Sequence, residues 1–255
     1  MSAPTPRIAM VTGARGGVGA QVVERLRSAG HRVAAVGRDA ESLRSVDADA
    51  HLAFDTTTPE GAAEAMAACS EQLGAPPSLL AHCVGSTLIA PLHRTTAAQY
   101  REVIRVNLDS AVYVLHAWVE AMRGHGVQGA AVLVSSVVAR IGVANHEAIA
   151  AAKGGVEALA RGAAATYAPS GLRINAVAPG MTDTPMTSNM LKVDAMREGA
   201  GKQYPLGGVL QPPTSHGSVS APSQARRETV RDGMVMEDSG CVFGTTINEP
   251  ADAPC

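Results

Sequence analysis

The sequence of 255 residues is poor in aromatic and charged side chains. Aromatic residues make up 3% and charged residues 17%, whereas apolar residues reach 46%, so alanine, valine, leucine and glycine must fill the interior. A chain of this length and composition predicts one domain in which Ala-rich helices pack closely against a sheet of Val, Ile and Leu. The formal net charge of −2 offers no basic surface for nucleic acid or for an anionic membrane.

Long apolar runs and paired cysteine motifs are also missing. No stretch approaches the ~20 apolar residues that cross a bilayer. The opening segment MSAPTPRIAM shows no basic region followed by an apolar one, so we expect no signal peptide and a cytoplasmic location. The four cysteines, Cys69, Cys83, Cys241 and Cys255, follow no CxxC or Cys/His spacing. We therefore expect free thiols in a reducing compartment and no bound metal.

Short apolar runs alternate with longer amphipathic segments over most of the chain. The runs predicted as buried strands are 7–11, 31–36, 50–54, 78–84, 129–135 and 172–178, and the predicted helices are 17–29, 60–73, 96–123 and 146–168. This alternation predicts right-handed βαβ crossovers. The expected fold is therefore α/β and Rossmann-like, a doubly wound parallel sheet covered by helices on both faces.

The last fifty residues lose this alternation. Segment 211–227 is rich in Pro, Ser and Gln without apolar periodicity, which is typical of loop or disorder, and only CVFGTTI (241–247) regains strand character. We therefore predict a single domain over residues 1–207 and an irregular C-terminal tail over residues 208–255. Divergence of the tail and an out-of-frame reading are both compatible with its composition.

The segment VTGARGGVG (11–19) follows the first predicted strand and opens the first predicted helix. Glycines permit a tight turn there, and backbone N–H groups at the helix N-terminus can then reach a pyrophosphate. Because a strand precedes the segment and a helix follows it, we interpret it as a dinucleotide-binding loop. Its candidate cofactor contacts are Thr12, Gly13, Arg15, Gly17, Val18 and Gly19.

Arginines stand where an acidic residue would select NAD. The end of the second strand carries Gly37 and Arg38, and Arg15 lies within the glycine loop. Two guanidinium groups suit the 2′-phosphate of NADP(H), with a pair of solvated arginines as the plainer alternative. Asp55, after the third strand, is interpreted either as an acceptor for the adenine amine or as a cap of the next helix.

Five blocks in a fixed order resemble the short-chain dehydrogenase/reductase family. The blocks are TGARGGVG, VNLDS (106–110), VLVSS (132–136), IAAAKGGVEAL (149–159) and RINAVAPGMTDTPM (173–186), and they cover about residues 7–207. The resemblance implies hydride transfer between NADP(H) and a C=O or activated C=C of a small apolar substrate, or the reverse reaction. It also implies a homodimer or homotetramer.

The resemblance carries over a catalytic set with one member missing. Asn107, Ser136 and Lys153 match the family's residues that anchor a water, polarise the carbonyl and hold the nicotinamide ribose. The tyrosine that donates the proton belongs four residues before the lysine, where Ile149 stands. An aliphatic side chain exchanges no proton. Either the protein binds the cofactor without turnover, as a sensor or structural subunit, or another residue supplies the acid.

His146 is the candidate for that acid. Bacterial enoyl-thioester reductases of the same family carry a tyrosine seven residues before the lysine and a methionine four before it. Here His146 and Ile149 occupy these two places. An imidazole with a pKa of about 6.5 can donate a proton near neutral pH. The alternative is that His146 is a capping or surface residue at a helix start.

Further cofactor contacts follow from the resemblance. The block after the fourth strand keeps the glycine that approaches the adenosine, although Cys83 replaces its asparagine. A P-G turn lies beside the nicotinamide, and a threonine after it bonds the carboxamide. These contacts are Gly85, Pro179, Gly180, Thr184 and, as a rival for the same role, Thr182.

Overall fold

Parallel strands form the centre of the structure, a computed structural model that describes residues 6–192, 194, 197–198 and 235–238. Within this part of the chain the strands are β1 (Ile8–Thr12), β2 (Arg32–Gly37), β3 (Ala50–Ala53), β4 (Leu79–His82), β5 (Gly129–Val134), β6 (Leu172–Pro179) and β7 (Val235–Asp238). They form one sheet in the order β3-β2-β1-β4-β5-β6-β7, and every neighbouring pair is parallel. The predicted doubly wound α/β fold is confirmed.

Helices cover both faces of this sheet. One face carries α1 (Gly17–Ser28) and α2 (Ala40–Leu43), and the other carries α3 (Pro59–Leu73), α5 (Ser110–His125) and α6 (Glu147–Tyr167). The remaining helices are α4 (Ala97–Ile104), which runs into α5 through a π-helical turn at Arg105–Asp109, and α7 (Ser188–Leu191). Short 3₁₀ turns lie at Leu92–Arg94, Val137–Ala139 and Ala168–Ser170.

The core consists of two apolar layers, one on each side of the sheet. The thicker layer contains Trp118, which is fully buried and whose indole N–H donates to Pro77 O at 2.8 Å. The ring lies against Gly129, where a Cβ would approach it to 2.6 Å. Alanines fill much of the remaining contact, so helices approach the sheet closely, as the composition predicts.

Local signals explain where two helices begin. Thr58 accepts a hydrogen bond from Gly61 N at 3.1 Å, and Pro59 occupies the first position of α3. Thr96 and Gln99 form a reciprocal capping box at the start of α4. Such caps satisfy N–H groups that the helix itself cannot pair.

The predicted helix 96–123 differs from the structure because the π-helical turn interrupts it. Within that turn, Asn107 Nδ2 donates to Val103 O at 2.9 Å. A side chain that takes the carbonyl four residues back competes with the backbone ladder and widens the helix locally. The apolar periodicity alone gives no sign of this widening.

The far edge of the sheet also differs from the prediction. β7 pairs with β6 from Ala176↔Val235 to Pro179↔Asp238, although VMED shows little strand character in the sequence. Pairing with a long neighbouring strand decides this element, whereas local propensity does not. The strand predicted at 241–247 and the junction between residues 207 and 208 lie outside the described residues and stay predictions.

Candidate cofactor and catalytic site

The strand order places a crevice at the carboxyl edge of the sheet. The chain runs outward from β1 to β2 and β3 on one side, and from β4 to β5 and β6 on the other. The loops that leave β1 and β4 therefore diverge. In open parallel sheets ligands bind at such a switch point, and this is where the motif residues gather.

The glycine loop after β1 is built against β4. Gly13 has φ of 67°, and a Cβ there would lie 2.8 Å from the carbonyl carbon of Cys83. A Cβ on Gly19 would collide with the carbonyl oxygen of Gly13. α1 begins after Gly16 without a side-chain cap, which leaves its first N–H groups for an anion. Thr12 is fully buried beneath this loop.

The segment after β6 lies against the same loop. A Cβ on Gly17 would lie 2.7 Å from Thr184 Cγ2, so glycine permits this contact. Thr187 holds the segment by donating to Thr182 O at 2.5 Å and by accepting from Thr184 N at 3.0 Å. The hydroxyl of Thr182 donates to Gly180 O at 3.1 Å. Of the two rival threonines, Thr184 is the one in contact with the glycine loop.

A cluster of charges surrounds the ends of β2 and β3. Arg15 and Arg38 are exposed there, and Asp55 Oδ2 lies 3.9 Å from Arg105 Nη1. Burial raises the pKa of Asp55, but hydrogen bonds from Thr57 and the charges of Arg105 and Arg38 outweigh it, so the pKa lies below its ordinary value. Asp55 is therefore a carboxylate available as an acceptor.

The alternative interpretation of Asp55 as the cap of α3 is wrong. Its Oδ1 accepts from the backbone N–H of Thr57 at 3.1 Å and from the Thr57 hydroxyl at 2.7 Å. Thr58 is the N-cap of α3 instead. The N-cap lies three residues after Asp55, and the Asp55 carboxylate binds Thr57 before the helix begins.

Asn107 and Lys153 meet at Gly85. Asn107 is fully buried; it accepts from Ser86 N at 3.1 Å and donates to the Ser86 hydroxyl at 3.0 Å. A Cβ on Gly85 would lie 3.1 Å from Asn107 Oδ1 and 3.4 Å from Lys153 Nζ. Lys153 Nζ donates to Val134 O at 2.8 Å, at the end of β5. The fold thus brings together three site residues that the sequence predicts.

Lys153 is a buried cation with a perturbed pKa. Only 6% of the residue is exposed. Burial lowers the pKa of its ammonium group to about 8, which the neighbouring Cys83 thiol opposes weakly. The pKa of Cys83 rises to about 12 for the same reason, so this thiol is neutral. An ammonium that donates to one carbonyl has two further N–H groups for ligand oxygens.

The two serines after β5 have different partners. Ser135 Oγ lies 3.1 Å from both Lys153 O and Glu157 Oε1, so it binds into α6. Ser136 begins the 3₁₀ turn and accepts a long hydrogen bond from Val138 N at 3.4 Å. Because successive side chains of an extended segment alternate, Ser136 is the serine with a hydroxyl available to a ligand.

Ile149 is a packing residue. It is 4% exposed and belongs to a small apolar cluster drawn from α6, α4 and neighbouring segments. The members are Val103, Ala148, Ile149 and Ala152, with Leu88, Ile104 and Val138 packed against them. All these side chains are aliphatic, so at the position where the family places its acid Ile149 contributes to an apolar cluster and exchanges no proton.

His146 is the residue immediately before α6. Its Nδ1 lies 2.7 Å from Ala144 O, an atom that only accepts, so Nδ1 carries a proton and Nε2 is the nitrogen left for chemistry. Among the described hydrogen bonds, none joins His146 to Ser136 or Lys153. Its role as an acid stays a prediction.

The motifs give no role to His82, which the structure places directly beneath the glycine loop. This residue is 1% exposed and ends β4. Its ring lies between the hydroxyls of Thr12 and Ser110, at 2.8 Å and 3.1 Å. A polar residue inside the apolar run SLLAHCV is the sequence signal that could have identified it.

The described residues contain neither a candidate membrane span nor a candidate metal site. No described helix has the length and apolar character that spanning a membrane requires. Within the described ranges, no three His, Cys, Asp or Glu side chains gather as metal ligands would. Cys69 and Cys83 are free thiols, and Cys241 and Cys255 lie outside the description.

A glycine loop at the switch point, facing a buried lysine and a buried asparagine, defines the class of a dinucleotide-binding α/β protein. Comparison with known proteins gives the family. The family model described as Enoyl-(Acyl carrier protein) reductase matches residues 13–219. The chain is 36% identical to cis-4-hydroxycyclohexanecarboxylate dehydrogenase from Sinomonas cyclohexanicum over 213 residues, which cover 81% of this chain and 84% of that protein.

Two more relatives agree with this match. (3R)-3-hydroxyacyl-CoA dehydrogenase from Homo sapiens is 30% identical over 263 residues, covering 94% of this chain and 92% of its own. The crystal structure of levodione reductase has a TM-score of 0.74 and 27% identity, covering 81% of this chain and 86% of its own. The chain belongs to the short-chain dehydrogenase/reductase family, as its motifs predict, and is an oxidoreductase of that type. Members of this family bind a nicotinamide cofactor.

Proposed function

We propose that the protein transfers hydride between NADP(H) and a C=O or activated C=C of a small apolar substrate, or catalyses the reverse reaction. The observation that carries the proposal is the convergence of Asn107 and Lys153 on Gly85, beside the glycine loop. A buried ammonium with spare donors is unfavourable unless a ligand uses them. The ribose hydroxyls of a dinucleotide supply such acceptors.

The residues present fit a phosphorylated dinucleotide. The uncapped start of α1 suits the pyrophosphate, and the exposed Arg15 and Arg38 suit a 2′-phosphate. Asp55 keeps a carboxylate available to the adenine amine, and Lys153 would hold the nicotinamide ribose. The cofactor, when bound, supplies or accepts the hydride.

The side chains around Ile149, where the family places its acid, favour an apolar substrate. Ile149 belongs to an apolar cluster, and the loops beside it expose Ile89, Leu92 and Ile141 by 43%, 64% and 41%. Backbone N of Ala90 donates to Asn145 O at 2.9 Å, which joins the loop after β4 to the segment before α6. Ser136 would polarise the substrate oxygen from the end of β5.

The proton must come from a group other than Ile149. His146 is our candidate: in its imidazolium form both ring nitrogens carry protons, Nδ1–H donates to Ala144 O, and Nε2–H is left to protonate the substrate. Reduction of a C=C bond conjugated to a thioester places the charge on an enolate, whose carbon can take its proton from water. Such a substrate would therefore need the protein's own acid less than a ketone does.

The decisive experiment is NADPH oxidation by the purified protein against a panel of carbonyls and enoyl-thioesters, with NADH in parallel. We expect turnover on at least one panel member and tighter binding of NADPH. Binding without turnover on the whole panel would overturn the proposal in favour of a sensor or structural subunit. His146→Ala, compared with the exposed-residue control His125→Ala, tests the acid. Full turnover in His146→Ala would remove His146 from the mechanism.

We also propose a homodimer or homotetramer and a cytoplasmic location. Helix α6 exposes small side chains, Ala151, Ala158 and Ala165, over which another subunit can approach closely. The free thiols Cys69 and Cys83 are compatible with a reducing compartment. Light scattering on the purified protein measures the assembly, and a monomeric mass at micromolar concentration would contradict it.

A further inference from the structure

His82 is a polar residue inside the apolar core. It ends β4 with 1% of its surface exposed, and both ring nitrogens have hydrogen-bonding partners. Burial lowers the pKa of His82 to about 3, with a smaller contribution from the charge of Lys153. The ring is therefore neutral under physiological conditions, with one donor and one acceptor nitrogen.

The surrounding hydroxyls fix which nitrogen carries the proton. Ser110 Oγ lies 2.6 Å from Val106 O, which only accepts, so the Ser110 hydroxyl donates there. Ser110 Oγ must then accept from His82 Nε2–H at 3.1 Å. Nδ1 is consequently the acceptor for the Thr12 hydroxyl at 2.8 Å. The result is one directed chain of hydrogen bonds from Thr12 through His82 and Ser110 to Val106.

The two ends of this chain belong to the two halves of the site. Thr12 ends β1 and directly precedes Gly13, whose backbone packs on Cys83. Val106 lies in the π-helical turn beside Asn107, and Ser110 follows that turn as the first residue of α5. Cys83, which follows His82 in the sequence, has a protonated thiol that is only a weak hydrogen-bonding group. The strong hydrogen bonds at the end of β4 are therefore those of His82.

We propose that His82 is a positioning residue that ties the glycine loop to the turn holding Asn107. It acts through Thr12 on one side and through Ser110 on the other, and it touches neither cofactor nor substrate. Its effect on cofactor binding rests on the proposed function, whereas the directed hydrogen-bond chain does not. The two parts are therefore tested by separate measurements.

The binding part is tested with Ser110→Ala, because Ser110 lies on the far side of the ring from the glycine loop. Trp118→Phe is the matched control, since it removes another buried hydrogen bond, to Pro77 O at 2.8 Å. We expect Ser110→Ala to weaken NADPH binding about fivefold, the value of one lost hydrogen bond. Trp118→Phe should leave the dissociation constant unchanged. Equal affinity in Ser110→Ala and wild type would overturn the proposal.

The hydrogen-bond chain is tested without any cofactor. Imidazole ¹⁵N spectra should show His82 neutral and protonated on Nε2 throughout pH 5–8, which we expect from the partners named above. In urea unfolding, Thr12→Val and Ser110→Ala should be non-additive by at least about threefold in the equilibrium constant. A proton on Nδ1, or additive effects, would refute the chain even if the wild type binds no NADPH. Failure of wild-type NADPH binding alone would refute only the proposed function.

Discussion

The cofactor side of the crevice and the start of α6 differ in how far they keep the family pattern. On the cofactor side, Gly13 has a positive φ, Gly85 lies close to the Asn107 side chain, and Lys153 donates a hydrogen bond to Val134 O. At the start of α6, Ile149 packs among aliphatic side chains and His146 bonds to a neighbouring carbonyl. The chain therefore keeps the residues that match the family's cofactor contacts, whereas it lacks the family's tyrosine at position 149.

This difference predicts that cofactor binding and proton donation are separable functions of the fold. The glycine loop and the Gly85 loop are held by backbone contacts between β1 and β4. Residue 149 takes no part in these backbone contacts. An aliphatic residue can therefore fill the acid's position without disturbing the cofactor side.

The largest effect is expected from Ile149→Tyr, which restores the missing hydroxyl. If the cofactor side is intact, carbonyl reduction should rise by about 10²–10⁴, the usual contribution of a positioned acid. Ile149→Phe is the matched control, because it adds the same ring without the hydroxyl. Steady-state NADPH oxidation with a ketone panel measures both variants. Equal rates in the two would show that the remaining residues no longer form a competent set.

Gly13→Ala should damage the cofactor side most. The added Cβ would lie 2.8 Å from the backbone of Cys83, and the alanine would have to adopt a φ of 67°. We expect a loss of about 3 kcal/mol of unfolding free energy, from left-handed strain plus a backbone clash. Gly30→Ala is the control, since Gly30 has φ of 84° with open space around it. Similar urea midpoints for the two variants would contradict the close approach.

Lys153→Met should weaken cofactor binding while stabilising the free protein. The pKa of Lys153 lies at about 8 in the folded protein and at 10.5 as its ordinary value, so unfolding takes up a proton between these values. The buried charge therefore destabilises the fold below pH 8, by about 3 kcal/mol. After the lost bond to Val134 O is subtracted, we expect Lys153→Met to be more stable at pH 7 by about 2 kcal/mol.

The sign of this prediction is checked by its pH dependence. The wild type should gain stability as the pH rises from 8 to 10.5, and Lys153→Met should show no such gain over that window. Urea unfolding of both proteins at pH 7 and pH 10 provides the measurement. A wild type with the same pH profile as the variant would mean that Lys153 is hydrated in the folded state.

The smallest effect is expected from Arg38→Ala at the outer end of the cofactor site. Loss of one guanidinium–phosphate contact should weaken NADPH binding about tenfold, while NADH binding should change little. Arg123→Ala, an exposed arginine in the last turn of α5, is the control. Fluorescence titration with both cofactors gives the ratio. Equal losses for NADPH and NADH would show that Arg38 does not contact the 2′-phosphate.

Much of the fold and part of the site could be predicted from the sequence. Strands β1 to β6 are confirmed because each is a short apolar run, and helices α1, α3 and α6 because each is a longer amphipathic segment. The glycine loop is confirmed as the turn between β1 and α1, and its binding of a dinucleotide stays a prediction. The prediction of one helix over 96–123 is only partly right, because Asn107 bonds Val103 O and the helix widens there. β7 depends on its partner strand rather than on its own four residues.

The parallel sheet and the glycine loop are predictable from apolar runs and glycine spacing, which are local properties of the sequence. The site positions Asn107, Ser136 and Lys153, and the missing tyrosine at position 149, follow from the resemblance to the family. Tertiary packing puts Ile149 into an apolar cluster and brings Thr184 against Gly17. It also placed His82 between the hydroxyls of Thr12 and Ser110. These contacts join segments that are far apart in the chain, so local sequence patterns cannot predict them.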